Sequence, residues 1–217
     1  MPKKHTDKTP SKKPKFKTLL PPRVQLILAV LLFFGSATLV HDREMSVLEI
    51  GIFQALYLNP EFLTPFFLAV TQLGSIFFLA GLTLLLMVKK YYQIVLRLLF
   101  TGSLAYLLSG VAKDLVGRGR PHEFISDVVY KDFVVRGSGF PSGHTALATA
   151  IALSISVYLP SRYKWFPPAM IIGVGLSRMH LGPHGPMDMV GGFAVGWFCF
   201  ALFHFVQIRL SSAGKMT

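Results

Sequence analysis

The apolar positions of this chain fall into long blocks separated by short polar segments. An uncharged apolar run of about 17 to 25 residues is the length that crosses a bilayer as a helix. Six blocks read as spans: 24–40 (VQLILAVLLFFGSATLV), a stretch within 62–88, 91–112, 142–159, 165–181 and 189–208. They predict an all-α, polytopic membrane protein with six transmembrane helices. The second block is long enough to tilt or to hold an interfacial turn. In the third, Arg97 lies near one end, where its long stem lets the charge snorkel to the surface. The fifth is the weakest, because Arg178 and His180 lie inside it. Between the first two blocks, SVLEIGIFQALYL (46–58) is apolar with Glu49 and Gln54 interspersed, a pattern that suits a helix lying flat in the interface and an ordinary loop almost equally.

Composition agrees with a membrane protein: of 217 residues, 52% are hydrophobic and only 15% charged. The single cysteine, Cys199, excludes an internal disulfide and a cysteine-based metal site, and reads as a small apolar filler of the sixth span. A net charge of +12 would suggest nucleic acid in a soluble protein. Its distribution argues otherwise, because eight of the 22 Lys and Arg crowd into the first 23 residues. That polar, Pro-rich segment reads as a disordered tail whose role is topological, with no nucleic-acid partner. GSA at 35–37 mimics a signal-peptide cleavage site, but the basic leader and the long apolar run favour a retained span.

Orientation follows from charge alone. With the N-terminus inside, fifteen Lys and Arg lie on the inner side and seven on the outer. The positive-inside rule therefore puts both termini in the cytoplasm. The expected organisation is a basic cytoplasmic tail over 1–23, a six-helix domain over 24–209 and a short cytoplasmic tail over 210–217. The outer seven cations need a reason other than insertion.

In that orientation three polar segments meet at the outer face: KDLVGRGRP (Lys113–Pro121), PSGH (Pro141–His144) and SRMHLGPHGPMD (Ser177–Asp188). Ionisable residues at membrane depth are costly and usually functional. Lys113 supplies a point charge, and Arg120 and Arg178 supply planar forks of donors, a set suited to a phosphate dianion. Pro141 halts any preceding helix, and Ser142 is a good N-cap for the fourth span. The free N–H groups at that helix start form an anion site, and Gly143 has no Cβ to obstruct an approaching oxygen. His184, flanked by Pro183 and Pro186, is the candidate nucleophile. The Asp188 carboxylate fixes its tautomer and leaves the other ring nitrogen free to attack. His144 is the candidate general acid that protonates the departing oxygen. Asp114, Arg118 and His122 read as solvated loop residues. His180 reads as a polar residue at the interface, and His204 as a partner in helix–helix hydrogen bonding. Glu123, Asp127, Lys131, Asp132 and Arg136 fall in the 121–140 loop at the entrance.

These three segments resemble the motifs of the type 2 phosphatidic acid phosphatase superfamily: Lys, six residues, Arg-Pro; Pro-Ser-Gly-His; and Ser-Arg, five residues, His, three residues, Asp. The likeness runs from about Thr71 to Gly192 and includes TQLGS (71–75). It implies a six-helix membrane fold and metal-independent hydrolysis through a phosphohistidine, without a cofactor. By position, Lys113, Arg120, Ser142, Gly143 and Arg178 bind phosphate, His144 is the acid, His184 the nucleophile and Asp188 its partner. The chain departs from the family at Gly185, where members commonly have an aromatic residue. It also departs at His180, which replaces a tyrosine, and at Pro183. The substrate implied is a lipid phosphate, such as undecaprenyl diphosphate, phosphatidylglycerophosphate, phosphatidic acid or a lipid A. The expected setting is a bacterial inner membrane, with the site facing the periplasm. A lipid phosphotransferase would use the same residues. A non-catalytic lipid-binding or transport protein would need only the cations.

Overall fold

The computed structural model describes residues 20–40, 44–58, 60–132 and 137–213; the expected tail up to residue 19, together with Arg43, Arg136 and Lys215, lies outside them. Nine α-helices occur among the described residues, with no strand: α1 Pro22–Leu39, α2 Val47–Tyr57, α3 Thr64–Thr71, α4 Ile76–Val88, α5 Tyr92–Val116, α6 Pro121–Phe124, α7 Gly143–Ser156, α8 Phe166–His180 and α9 Pro186–Ala213. The all-helical class is the one the apolar blocks predict. Helix starts are marked by local chemistry. Prolines sit in the first turn of α1, α3, α6 and α8, where a missing N–H costs nothing. Ser46, Ser75 and Ser142 cap α2, α4 and α7, each hydroxyl accepting from a backbone N–H of the first turn.

The 62–88 block is not one helix. Its halves, Glu61–Gly74 and Ile76–Val88, meet at 59°. Ser75 is the cause: its backbone is extended (φ −91°, ψ 156°), and its side chain starts a new helix by accepting from Phe78 N–H. Among the described residues, α1, the stretch Tyr92–Phe124 and Pro186–Ser212 are long and apolar enough to cross a membrane, and the bent pair adds a fourth if counted as one span. The 14 residues of α7 and 15 of α8 rise about 21 and 22 Å, less than the ~30 Å hydrocarbon core. The shortness of α7 has a local origin. Its N-cap, Ser142, is wholly buried, so the helix starts among its neighbours.

Helix α7 is the centre of the molecule, packed by α5, α8 and α9. On one side Leu147 and Ile151 meet Leu79, Leu98, Met170 and Val174. On the other, Ala146 and Ala150 meet Ala105, Val195 and Cys199, so the lone cysteine is the expected apolar filler. In lipid, helices associate by close packing rather than by escape from water, and small residues permit the approach. Gly192 and Gly196 of α9 show this: a Cβ on them would lie 2.5 Å from the Ser142 carbonyl oxygen and 2.3 Å from that of Ala146. The opposite faces are apolar and bare, with Leu31, Phe34, Phe77, Leu107 and Ile172 more than half exposed.

Two charged residues are not where the sequence suggests. Arg97 does not snorkel. It is fully buried, donates from Nη2 to Gln207 Oε1 at 2.6 Å and lies over the Phe203 ring at 4.8 Å. The 46–58 segment is a helix, α2, but it does not carry Glu49 as an interfacial polar spot. Glu49 is buried, and α2 packs on α8 and α9.

Candidate active site

The three polar segments come together where α5 ends, α7 begins and α8 turns into α9. Helix α5 stops at Gly117, whose left-handed conformation (φ 62°) closes the helix and sends the chain across the bundle. Lys113, in its last turn, donates to the Ser138 carbonyl oxygen at 2.5 Å. Arg120 donates from Nε to the Gly137 oxygen at 2.7 Å and from Nη1 to the Pro183 oxygen at 2.9 Å, which ties the first segment to the loop that carries His184. Arg178, in the last turn of α8, donates from Nη1 to Thr71 Oγ1 at 2.9 Å and to Asp132 Oδ2 at 2.5 Å. Its Nε has no partner among the described residues.

Ser142 caps α7 as expected, with Oγ accepting from Thr145 N–H at 3.4 Å and from Thr145 Oγ1 at 3.1 Å. Its own N–H donates to the Asp188 carbonyl oxygen at 2.9 Å, joining the second segment to the third. The N–H groups of Gly143 and His144 then stand outside the helix's own ladder. A Cβ at Gly143 would meet nothing within 4 Å, so packing does not require the glycine there; the space before it is open. His144 is half-buried within electrostatic reach of Arg178, Asp132 and Lys113. Gly74, in the corner between α3 and α4, abuts the His144 carbonyl, where a Cβ would come within 2.4 Å. The TQLGS stretch therefore positions two site elements, Thr71 on Arg178 and Gly74 on α7.

His184 is buried in the loop between α8 and α9, with Nδ1 3.4 Å from Asp188 Oδ2. That is longer than a formed hydrogen bond, so the contact in this state is electrostatic. Asp188 Oδ2 accepts instead from Gly185 N–H at 2.8 Å, the carboxylate reaching back three residues over the start of α9. Burial, with the charges of Lys113, Arg120 and Arg178 and the ring of His144, holds the His184 imidazole well below its ordinary pKa. That favours the neutral imidazole, the form in which a ring nitrogen has a lone pair to donate.

Arg118 corrects the sequence reading. It is not a solvated loop residue but almost completely buried, with Nη1 2.9 Å from Asp188 Oδ1 and Nη2 2.7 Å from Glu49 Oε2. Asp132, placed by sequence only in the entrance loop, reaches Arg178. His180 is buried against the Phe67 ring at 4.4 Å and bonded to Thr64 Oγ1 at 3.1 Å, a packing position rather than an interfacial one. At Gly185, where relatives of the motif carry an aromatic residue, the side-chain space is taken by Met45, whose Cε would lie 3.1 Å from a Cβ. Among the described residues no group of His, Cys, Asp and Glu has the arrangement of a metal site.

The cluster can grip an oxyanion with three cations and a helix start, and can set a neutral, carboxylate-flanked imidazole against it. The chain belongs to the PAP2 superfamily, whose family model matches residues 94–210. It is 32% identical over 106 residues to a lipid A 1-phosphatase of Rhizobium johnstonii, covering 46% of this chain and 43% of that protein, so this chain spans less than half of that relative's length. It is 30% identical over 188 residues to phosphatidylglycerophosphatase B of Bacillus subtilis, covering 79% of this chain and 89% of that one. A crystal structure of a transmembrane PAP2-type phosphatidylglycerolphosphate phosphatase from Bacillus subtilis superposes with a TM-score of 0.74 at 23% identity, covering 85% and 96% of the two chains, a likeness of fold. The apolar helices and this membership make the chain an integral membrane protein.

Proposed function

We propose that this protein is a metal-independent lipid phosphate phosphatase working at the outer membrane–water interface through a phosphohistidine. The observation that carries the reading is the meeting of His184 and Asp188 with Lys113, Arg120, Arg178 and the start of α7 in one cluster within an apolar bundle. The loop 117–142 is too short to build a soluble substrate domain, so the substrate's carbon skeleton must rest against the spans, which suits a lipid tail. Candidate substrates are lipid A and phosphatidylglycerophosphate, the lipids named for the two relatives above, and undecaprenyl diphosphate, named for a further relative from Sulfolobus acidocaldarius.

The geometry supports the following roles. Lys113, Arg120, Arg178 and the N–H groups at Gly143 and His144 hold the non-bridging oxygens, with Ser142 fixing that helix start. Asp188 faces His184 Nδ1, so Nε2 attacks phosphorus. The phosphorus–oxygen bond to the lipid breaks as the P–N bond forms, and the leaving oxygen takes its proton from His144. Water then attacks the phosphohistidine, giving its proton back to His144 and restoring neutral His184. Donors fixed in place for the five-coordinate charge supply most of the acceleration. Six spans complete the picture, with α7 and α8 as the short fourth and fifth, both termini and their tails (1–23 and 210–217) in the cytoplasm, and the site facing the periplasm of a bacterial inner membrane.

The test is a lipid phosphate panel in detergent with chelator present. Wild type should release inorganic phosphate, and His184→Ala should lose at least about 10³-fold. His144→Ala should lose about 10²- to 10⁴-fold, because the leaving oxygen and the attacking water both lose their proton partner. Phosphate release undiminished in His184→Ala would refute the mechanism. Label passing to an acceptor lipid rather than to solution would make the enzyme a transferase.

A further inference from the structure

Helix α2 supplies none of the residues assigned a role above, yet it inserts a carboxylate into the back of the site. Glu49 is 3% exposed, a position in which a lone charge is costly. It is held from both ends. Oε1 accepts from Met187 N–H at 3.2 Å, in the first turn of α9, and Oε2 accepts from Ser46 N–H at 3.3 Å. The same Oε2 receives Arg118 Nη2 at 2.7 Å, and Arg118 Nη1 continues to Asp188 Oδ1 at 2.9 Å. One guanidinium thus bridges two buried carboxylates, and the second of these faces His184.

The sum of charges is informative. The groups facing His184 are the cations Lys113, Arg120 and Arg178, the ring of His144, and Asp188 behind it. If Arg118 met Asp188 alone, it would cancel the carboxylate, and the imidazole would face three cations offset only by Asp132 on Arg178. Glu49 absorbs the charge of Arg118, so the triad carries one net negative charge, presented through Asp188. We propose that Glu49 and Arg118 are positioning residues: Arg118 fixes the Asp188 carboxylate in place, and Glu49 keeps that carboxylate effectively anionic towards the nucleophile. The inference rests on the assignment of His184 as nucleophile, and it makes α2, outside the three motifs, part of the reaction's apparatus.

The test is Glu49→Gln in the full-length protein in detergent, with Glu49→Asp beside it and thermal unfolding as a check on folding. Loss of the negative charge should lower kcat by about 10- to 100-fold, by analogy with the range over which outer partners tune a metal-bound imidazole. KM should change little, because the phosphate cup is untouched. The acidic limb of kcat/KM should move to lower pH, since an imidazole deprived of its counter-charge is harder to protonate. Glu49→Asp retains the charge and should keep the limb at its wild-type pH with a smaller loss of kcat. Turnover unchanged in Glu49→Gln, or turnover lost with the limb unmoved in both variants, would overturn the proposal. Histidine-labelled NMR separates this failure from failure of the phosphatase reading. Even if no lipid phosphate were turned over, the His184 titration midpoint should fall in Glu49→Gln, and an unmoved midpoint would sink the pair's role.

Discussion

The protein buries arginine in two places and satisfies it in opposite ways. Towards the far end of the bundle from the site, Arg97 is enclosed by the Gln207 amide and the faces of Phe203, Phe200 and Tyr158. At the site, Arg118, Arg120 and Arg178 meet carboxylates and backbone carbonyls, and Arg178 Nε is left without a partner among the described residues. A neutral amide and aromatic faces hold a cation where nothing else must bind. Carboxylate partners mark a place where another anion can come and go, since they occupy donors that a phosphate would also use. Burial of charge is therefore a weak sign of function in this fold. The partners are what separate the two sites.

The strongest break in that comparison is Arg178→Gln set against Arg97→Met. Removing a fixed donor from the developing phosphoryl charge should lower kcat/KM by about 10²- to 10³-fold, with the unfolding midpoint in detergent little changed. Arg97→Met should leave kcat/KM within about twofold. Its stability should stay within about 1 kcal/mol, because relief from burying a guanidinium offsets the lost bond to Gln207 and the ring contacts. Phosphate release measured per folded molecule reads both. A tenfold loss of turnover in folded Arg97→Met would mean that the two sites are coupled along α5, and the contrast would fail.

The same contrast explains what the sequence made visible. Apolar blocks are local, so five of the six appear as single helices near their expected places and the 62–88 block as a bent pair, and Ser142 announces α7 because an N-cap is a local device. The break at Ser75 was also local, a capping serine after Gly74, but it lay hidden inside a continuous apolar run. The motif residues could be grouped because each sits beside the end of a span. Arg118 and Glu49 could not. They are 69 residues apart, and nothing periodic links a charge in an apolar helix to one in a turn. Arg97 was misplaced for the converse reason: position near a span's end suggests escape to the surface, whereas its actual partners come from α7 and α9 and their flanks. Thr71 and Gly74 lie within the family likeness, yet a hydroxyl on Arg178 and a close backbone approach leave no signature in composition.

The finest distinction concerns Asp132, which sits on the boundary between the two kinds of arginine partner. Its Oδ2 accepts from Arg178 Nη1 at 2.5 Å, and its side chain retains 10% exposure, where those of Arg118's two carboxylate partners retain 4% and 1%. A phosphoryl oxygen arriving at Arg178 competes with that carboxylate for the same face of the guanidinium. If Asp132 is a place-holder, Asp132→Asn removes the competitor's charge, and orthovanadate should bind tighter. The size of that gain reads how much of the Arg178 charge the carboxylate holds. KM for a lipid phosphate should fall in parallel while kcat stays level. If Asp132 instead holds Arg178 in its working orientation, as Asp188 is held by Arg118, the sign reverses. Vanadate would then bind more weakly and kcat would fall, so a single inhibition constant decides whether this carboxylate belongs with the anions that leave or with those that stay.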